Sequence, residues 1–545
     1  MRILIVGGVA GGASCAARVR RLSEDAEIVI FERGPYVSFA NCGLPYYVGG
    51  EIPEEGKLLV ASPALFKKRM NIEVRLKQEV VRIDRAKSEI EVKDLETGNS
   101  LHERYDALVL SPGAIPIRSP LPGIDLAGIF TLRTIPDARE IKLWIQQRKA
   151  KRAVIVGGGF IGLEMAENLT ALGLKVSIIE MQNQVLPPFD PEMVSGIQGH
   201  LKEKGVDVYL KEAVAGFEEK SSGGAIRVLT KSGVKMETDL VLLSIGLRPD
   251  VKLAQEAGLM FGKRGGIEVD QQMRTSDLKI WAVGDAVEVE DIVTKEKTLL
   301  ALAGPANRQG RIAADAILGR ASKFRGVQGT AICKVFDLTA ACTGANEKTL
   351  MRLSKPYEKV YLHPFQHASY YPGASQMNFK IIFDPADGTI LGAQCIGAEG
   401  VDKRMDVIAM AIQKHATIFD LEEAEFCYSP QFGAAKDPVN FSGMIAANAI
   451  RGDCPVAHWE NVKPAETVMI DVRTPEEYLK RHVPGAKNIP VDELRKRLSE
   501  IPKDKEILVY CGVGLRGYYA ARILLQNGFT AKNLSGGIKT YLNRQ

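Results

Sequence analysis

A chain of 545 residues, at about 150 residues per domain, holds three or four domains and excludes a single small fold. Its 46% hydrophobic and 25% charged residues are the balance of a globular protein with a sizeable core, which excludes disorder and collagen-like repeats. With 71 basic against 66 acidic residues, a net charge of +5 and no run of five like charges, neither nucleic acid nor a membrane is expected as a partner.

From the N-terminus, the apolar residues 3–6 run into glycines rather than a cleavage site, and no run of about 18 apolar residues follows, which points to a cytoplasmic protein. Two stretches then repeat one pattern: strand, glycine cluster, amphipathic helix, second strand, acidic residue. The first starts at Arg2 and ends at Glu32, the second starts at Arg152 and ends at Glu180. Each reads as the opening βαβ unit of a dinucleotide-binding domain.

In the first unit, Gly7-Gly8-Val9-Ala10-Gly11-Gly12 departs from the G-x-G-x-x-G fingerprint because Val9 stands at the middle glycine position. Glu32, 20 residues past Gly12 and with Arg33 beside it, supports reading this as a dinucleotide unit all the same. The second unit, Gly157-Gly158-Gly159-Phe160-Ile161-Gly162, satisfies the fingerprint between a strand over 153–156 and a helix expected from about Leu163. Gly157 permits the tight turn, Gly159 lets backbone approach a pyrophosphate, and Gly162 packs helix on strand. The helix N-terminus, where Phe160 and Ile161 lie, attracts the phosphates. Glu180 follows Gly162 by 18 residues, and neither Met181 nor Gln182 offers a cation for a 2′-phosphate, which favours NADH over NADPH.

The second unit interrupts the first domain, because residues 270–320 return to nucleotide-type patterning. From 326 to 450, strands expected over 331–335, 379–383 and 389–396 precede helices, with Asp384-Pro385-Ala386-Asp387-Gly388 as hairpin-turn chemistry. Residues 451–465, with Gly452, Pro455 and Pro464, read as a linker, and 466–545 as a separate small α/β domain. The domains expected are thus 1–150 with 251–325, the inserted 151–250, then 326–450 and 466–545. The fold class is α/β: two Rossmann-like domains, an α+β domain and a terminal α/β domain.

Thr275-Ser276-Asp277 leads to Ile280-Trp281-Ala282-Val283-Gly284-Asp285-Ala286, and with the two glycine units this resembles the two-dinucleotide-binding-domain flavoprotein reductases. The resemblance implies FAD in the first domain, with Glu32 on its ribose and Asp285 on the ribityl and phosphate region. Ser111-Pro112-Gly113, the segment around Gly246, Gly284 and Ala303 complete the implied cofactor contacts.

Cys42 lies in Ser38-Phe39-Ala40-Asn41-Cys42-Gly43-Leu44-Pro45-Tyr46, and position 47 is Tyr47, so no C-x4-C pair exists. The segment resembles the coenzyme A disulfide reductases and the NADH-dependent persulfide reductases, which work with one cysteine. A thiolate beside an oxidised flavin can attack a disulfide or persulfide sulfur and then be released by reduction, with Asn41 and backbone amides available to support its charge. The resemblance places coenzyme A on Ser14, Arg18, Arg21, Ser38, Asn41, Arg69, Asn307, Arg308 and Lys436. It makes 326–450 the dimerisation domain of a homodimer, with Tyr370 and Tyr428 crossing into the partner's site as hydrogen-bond donors or acids for the departing thiolate; Phe432 stands where a second tyrosine often occurs.

Cys511-Gly512-Val513-Gly514-Leu515-Arg516 follows a strand over 507–510 and precedes a helix near 517–525. Consecutive amides and a helix N-terminus would cradle the sulfur, with Arg516 closing the loop, and four intervening residues favour a smaller cargo than phosphate. With Asp471-Val472-Arg473, His482-Val483-Pro484-Gly485-Ala486 and Gly536-Gly537, the segment resembles a single-domain rhodanese; Asp471 and Arg473 are expected to build the fold around the loop.

The eight cysteines contain no C-x-x-C, so neither a disulfide framework nor a metal site is expected. The leading function is NADH-dependent reduction of coenzyme A persulfide, polysulfide or coenzyme A disulfide through Cys42, with Cys511 handling sulfane sulfur. An NADH oxidase or peroxidase cycling through a cysteine sulfenic acid is the enzyme alternative, against which counts the lack of a histidine around Ala10. A redox-sensing sulfur carrier is the non-enzymatic alternative.

Overall fold

Ile3-Leu4-Ile5 is apolar on both faces, as a parallel strand covered by helices on both sides requires. The computed structural model describes residues 1–219, 225–463 and 466–544; Pro464 of the expected linker lies outside them. It divides into two units, Met1–Val185 with Gly205–Val327, and Leu186–Lys204 with Gln328–Gln545. No helix among the described residues is long and apolar enough to cross a membrane.

In the first unit, β1 (Arg2–Val6) leads through the glycine turn to α1 (Ala10–Leu22) and β2 (Glu27–Glu32). With β3 (Glu73–Leu76), β4 (Ala107–Leu110) and a strand over Ile280–Ala282, they form a five-stranded parallel sheet in which β1 lies between β4 and β2. A long helix, Ala303–Ile317, returns across α1 so closely that a Cβ on Gly310 would lie 2.2 Å from the Gly11 carbonyl oxygen.

The chain leaves this sheet through β5 (Ala114–Pro116) and comes back through Leu247–Pro249, the two pairing as an antiparallel ribbon. Between them β6 (Ile129–Phe130), β7 (Arg152–Val156), β8 (Lys175–Glu180), β9 (Asp207–Leu210) and β10 (Leu240–Leu243) form the second parallel sheet. Two expectations change here. The second sheet recruits β6, so its pairing begins before the expected boundary at 150. Helix α2 (Phe160–Ala171) starts at Phe160 rather than near Leu163, because Gly159 already supplies its extended N-cap.

The second unit takes the helix Pro191–Glu203 out of the expected 151–250 domain. A buried polar cluster ties the start of this helix into the second unit. Lys380, fully buried, lies 2.7 Å from Asp190, 2.6 Å from Glu192 and also against Glu347. Lys359 bridges Glu347 to Glu460. Burial alone would push Glu347 up, but the two lysines hold its carboxyl down at about 2. An antiparallel sheet carries these lysines: β11 (Ala331–Val335), β12 (Leu338–Gly344), β13 (Glu358–Leu362), β14 (Asn378–Phe383) and β15 (Ile390–Gly397), ordered β11-β12-β15-β14-β13. The turn over 384–388 joins β14 to β15 as an antiparallel pair, as its residues predict.

After helices Val401–Gln413 and Pro438–Ile450, β16 (Val456–Ala457), β17 (Thr467–Asp471), β18 (Lys487–Asn488), β19 (Glu506–Tyr510) and β20 (Ala531–Leu534) form a third parallel sheet. Val456–Ala457 pairs into it although it falls within the stretch expected to be linker. Asp471 and Arg473 form a buried ion pair, Nη2 to Oδ2 at 2.6 Å, with Arg473 also donating to the Arg481 carbonyl, so they brace the fold as expected.

Candidate active site

The first glycine turn opens onto a cleft of about 1380 Å³ in the first unit. Gly7, Val9, Ala10 and Gly11 line it, while Gly8 and Gly12 lie behind. A Cβ on Gly12 would fall 1.9 Å from the Gly7 carbonyl oxygen, so only glycine lets α1 start this close to β1. Val9, at the N-cap of α1, offers no side-chain acceptor, so the amides of Ala10 and Gly11, residues that line the cleft, have no cap from it.

Glu32 accepts from the Gly8 amide at 2.9 Å and the Gly34 amide at 2.8 Å, which fixes its carboxylate at the cleft wall. Arg33 pairs with Asp250 at 3.0 Å, and Ser111 accepts from the Gly12 amide at 3.0 Å. Pro112, Gly113, Gly284, Asp285 and Ala303 line the same cleft; Gly246 does not, serving instead in the ribbon, where its carbonyl accepts from Ile117. Asp285 is not free: Arg133 holds it at 2.8 Å. The glycine-rich turn, the helix start that follows it and the Gly284-Asp285 approach fit a flavin dinucleotide.

Cys42 sits exposed on a 3-10 turn, Asn41–Gly43, at the wall of this cleft, directly before a short helix, Leu44–Gly49. Its thiol is pushed up by burial and by Glu164, against the pull of Arg133. The Asn41 side-chain amide donates to the Arg133 carbonyl at 3.3 Å. Glu164 is itself pushed up by burial and accepts from Tyr46 at 3.3 Å. Its place two residues beyond the second glycine motif was the available signal, and Arg133 had none.

Of the expected coenzyme A contacts, Ser14, Arg18, Arg21, Ser38, Asn41 and Asn307 line the cleft together. Ser14 hydrogen-bonds Asn307, and Arg18 pairs with Asp315 at 2.8 Å. Arg69 and Arg308 do not line the cleft. Met70 lines the cleft while Arg69 points away into solvent, and Arg311 lines it while Arg308 packs over the Phe324 ring at 5.4 Å. Lys436 is exposed in the second unit.

At the second glycine turn, Gly157 adopts φ 108° and a Cβ on Gly162 would lie 2.1 Å from the Gly157 carbonyl oxygen. Gly159 has open space around it, and Phe160 and Ile161 form the first helical positions. Glu180 accepts from the Gly158 and Gln182 amides, each at 2.7 Å. This is the geometry of a second dinucleotide site.

In the second unit, Tyr370 and Tyr428 are exposed and their hydroxyls meet at 2.8 Å; Phe432 lies exposed close in sequence. Their loops are tied by the Ala368 amide donating to Gly433 and by the buried Arg404, which binds the Gln366 carbonyl at 2.7 Å and Asp437 at 2.8 Å.

Cys511 is buried at the base of its loop and its Sγ accepts from the Gly514 amide at 3.1 Å. The following helix, Leu515–Gln526, begins two residues earlier than expected. Arg516 does not simply close the loop: it forms a two-pronged ion pair with Glu477, at 2.6 and 2.7 Å. Arg516 and the Thr474 amide hold the Glu477 carboxyl at about 2 against a raising contribution from burial. Glu477 was legible as the far end of the Thr474 capping box but not as the partner of Arg516.

Two dinucleotide folds joined by a ribbon, with an accessible thiol on the first cleft, define a flavin- and pyridine-nucleotide-dependent oxidoreductase. The chain belongs to the pyridine nucleotide-disulphide oxidoreductase family, whose model matches residues 1–310; its dimerisation domain matches 330–437 and a rhodanese-like domain 456–544. It is 35% identical to an NADH oxidase of Methanocaldococcus jannaschii and 34% to a coenzyme A disulfide reductase of Staphylococcus haemolyticus, covering 82% of this chain and 98% and 99% of theirs. Among solved structures it is similar to reduced Bacillus anthracis CoADR-RHD, with TM-score 0.97 and 47% identity over 99% of this chain and 98% of that one. The NAD-dependent persulfide reductase of A. fulgidus gives 0.92 and 38% over 99% and 100%.

Proposed function

We propose that the protein uses NADH and FAD to reduce coenzyme A persulfide, polysulfide and coenzyme A disulfide through Cys42, while Cys511 transfers sulfane sulfur. The observation that carries this reading is a single accessible thiol on the cleft that begins at the first glycine turn, in one chain with a second thiol held in an amide loop. The similar coenzyme A disulfide reductase and persulfide reductase support it.

Bound FAD supplies a two-electron relay from the reduced nicotinamide to sulfur. Cys42, as thiolate, attacks the outer sulfur of a coenzyme A persulfide; the new S–S bond is to Cys42 and coenzyme A leaves as thiolate. Two electrons then split that bond, returning the Cys42 thiolate and releasing hydrosulfide. Arg133 is the cation that favours the Cys42 anion, and Glu164 opposes it. Arg18, Arg21 and Arg311 offer the cleft's cations to the phosphates of coenzyme A. Glu180 receives the ribose of NADH. In a homodimer, the Tyr370–Tyr428 pair donates to the departing thiolate in the partner's site.

An acceptor panel tests the reading. Wild type oxidises NADH with coenzyme A persulfide or disulfide faster than with oxygen or peroxide, Cys42→Ser abolishes this, and Cys511→Ser abolishes only sulfur transfer from thiosulfate to cyanide. Full persulfide turnover in Cys42→Ser would remove the mechanism, and oxygen as the best acceptor would favour the oxidase reading that the Methanocaldococcus relative's name carries.

A further inference from the structure

Residues 535–540 are pressed between two neighbours in the second unit. On one side is the Cys511 loop: the Ile538 amide donates to the Cys511 carbonyl at 2.8 Å and the Lys539 amide to the Gly512 carbonyl at 3.1 Å. A Cβ on Gly537 would lie 2.5 Å from the Cys511 carbonyl oxygen. On the other side is the end of β13: the Tyr361 amide donates to the Ser535 hydroxyl at 2.9 Å, and a Cβ on Gly536 would lie 2.8 Å from the Tyr361 Cβ. Just beyond β13, His363 Nε2 meets the Thr540 hydroxyl at 2.9 Å while its Nδ1 meets Asn378 Oδ1 at 2.8 Å. Burial first, and then Lys539, lower His363 to about 4. The ring is therefore neutral near pH 7, and with Nδ1 donating to Asn378, Nε2 accepts from Thr540.

The Tyr361 ring is anchored in turn, its hydroxyl donating to Glu192 at 2.7 Å inside the Lys380 cluster. Gly536 and Gly537 both have positive φ, 71° and 62°, so this turn has no side chains of its own to hold its shape against either neighbour. Within its own domain the segment is held by the Ser535 amide donating to the Ala457 carbonyl at 2.9 Å and by the Trp459 indole donating to the Gly537 carbonyl at 3.0 Å, and Tyr361 and His363 add the contacts from the β13 side.

We propose that Tyr361 and His363, residues of the dimerisation domain, are positioning residues for Cys511: they seat the Ser535–Thr540 segment whose amides hold the Cys511 and Gly512 carbonyls. Sulfur transfer by the rhodanese loop then depends on the dimerisation domain against which it is docked. The inference rests on Cys511 being the sulfur-transferring thiol, as proposed above.

The test uses the full-length holoprotein with thiosulfate and cyanide, and follows alkylation of the Cys511 peptide by iodoacetamide. Thr540→Val removes the hydroxyl that His363 accepts from and keeps the shape; it should lower kcat about fivefold to tenfold, the worth of one lost hydrogen bond, with KM for thiosulfate unchanged. Thr540→Ser should restore kcat. His363→Gln, whose single terminal amide cannot meet Asn378 and Thr540 at once as the two ring nitrogens do, should slow both sulfur transfer and Cys511 alkylation while the NADH-driven reaction at Cys42 keeps its rate. Unchanged kcat and alkylation in both Thr540→Val and His363→Gln would overturn the proposal, as would a Thr540→Val loss that Thr540→Ser does not restore. If Cys511→Ser retains transfer, the underlying reading fails instead, and the alkylation rates alone decide whether the loop is positioned from β13.

Discussion

Replacing Lys380 with methionine removes the one cation that three buried carboxylates share. Methionine fills a similar volume, so the change is electrostatic. Glu347 sits at about 2 in the folded chain against 4.5 for the free carboxyl, a difference worth about 3 kcal/mol of stability at neutral pH. Because its folded value is depressed, that stability is complete above about pH 4.5 and is lost as the pH falls toward 2. Breaking a buried ion pair from one side costs about 3–5 kcal/mol, on the order of 10 °C in melting temperature for a unit of this size. The variant's carboxylates, buried without Lys380, take up protons more readily than the wild type's. The gap between the two proteins should therefore close on acidification to about pH 5, where protonation relieves the variant first. Differential scanning calorimetry of the holoprotein at neutral pH and near pH 5 measures both quantities. Equal melting temperatures at neutral pH, or a gap that widens with acid, would refute the charge accounting.

Gly159→Ala and Gly162→Ala should behave differently, although they belong to one motif. The first has open space and should keep its melting temperature while raising KM for NADH; the second meets the Gly157 carbonyl and should lose roughly 1–3 kcal/mol of stability, read by calorimetry. Tyr370→Phe and Tyr428→Phe should each slow persulfide reduction, and the double variant should lose less than the product of the two, since one 2.8 Å contact is shared. Glu477→Gln loosens Arg516 and should lower thiosulfate transfer by about two- to fivefold, with NADH-driven turnover unchanged.

What was legible in the sequence was local. Gly157 to Gly162 sits within one turn of chain, and its chemistry is decided by neighbours a few residues away; the same holds for the Cys511 loop and for the turn at 384–388. What was missed depends on partners far along the chain. Glu477 and Arg516 are 39 residues apart, and Lys380 reaches Asp190 across 190, so no window of sequence could assign the helix Pro191–Glu203 to its unit. The exchanges of Arg69 for Met70 and of Arg308 for Arg311 are a different kind of miss. Which face of the helices Pro63–Met70 and Ala303–Ile317 meets the cleft is fixed by packing such as Arg308 over Phe324.

Arg404 has one further consequence. Its guanidinium joins the loop that carries Tyr370 to the helix cap after Tyr428, and the Ala368–Gly433 hydrogen bond closes the same circuit. Anyone recombining this domain with a homologous one has no safe breakpoint between 366 and 437. Chimeras that split the stretch would separate a buried cation from its acceptors, whereas those that exchange it whole would carry both phenols across in register.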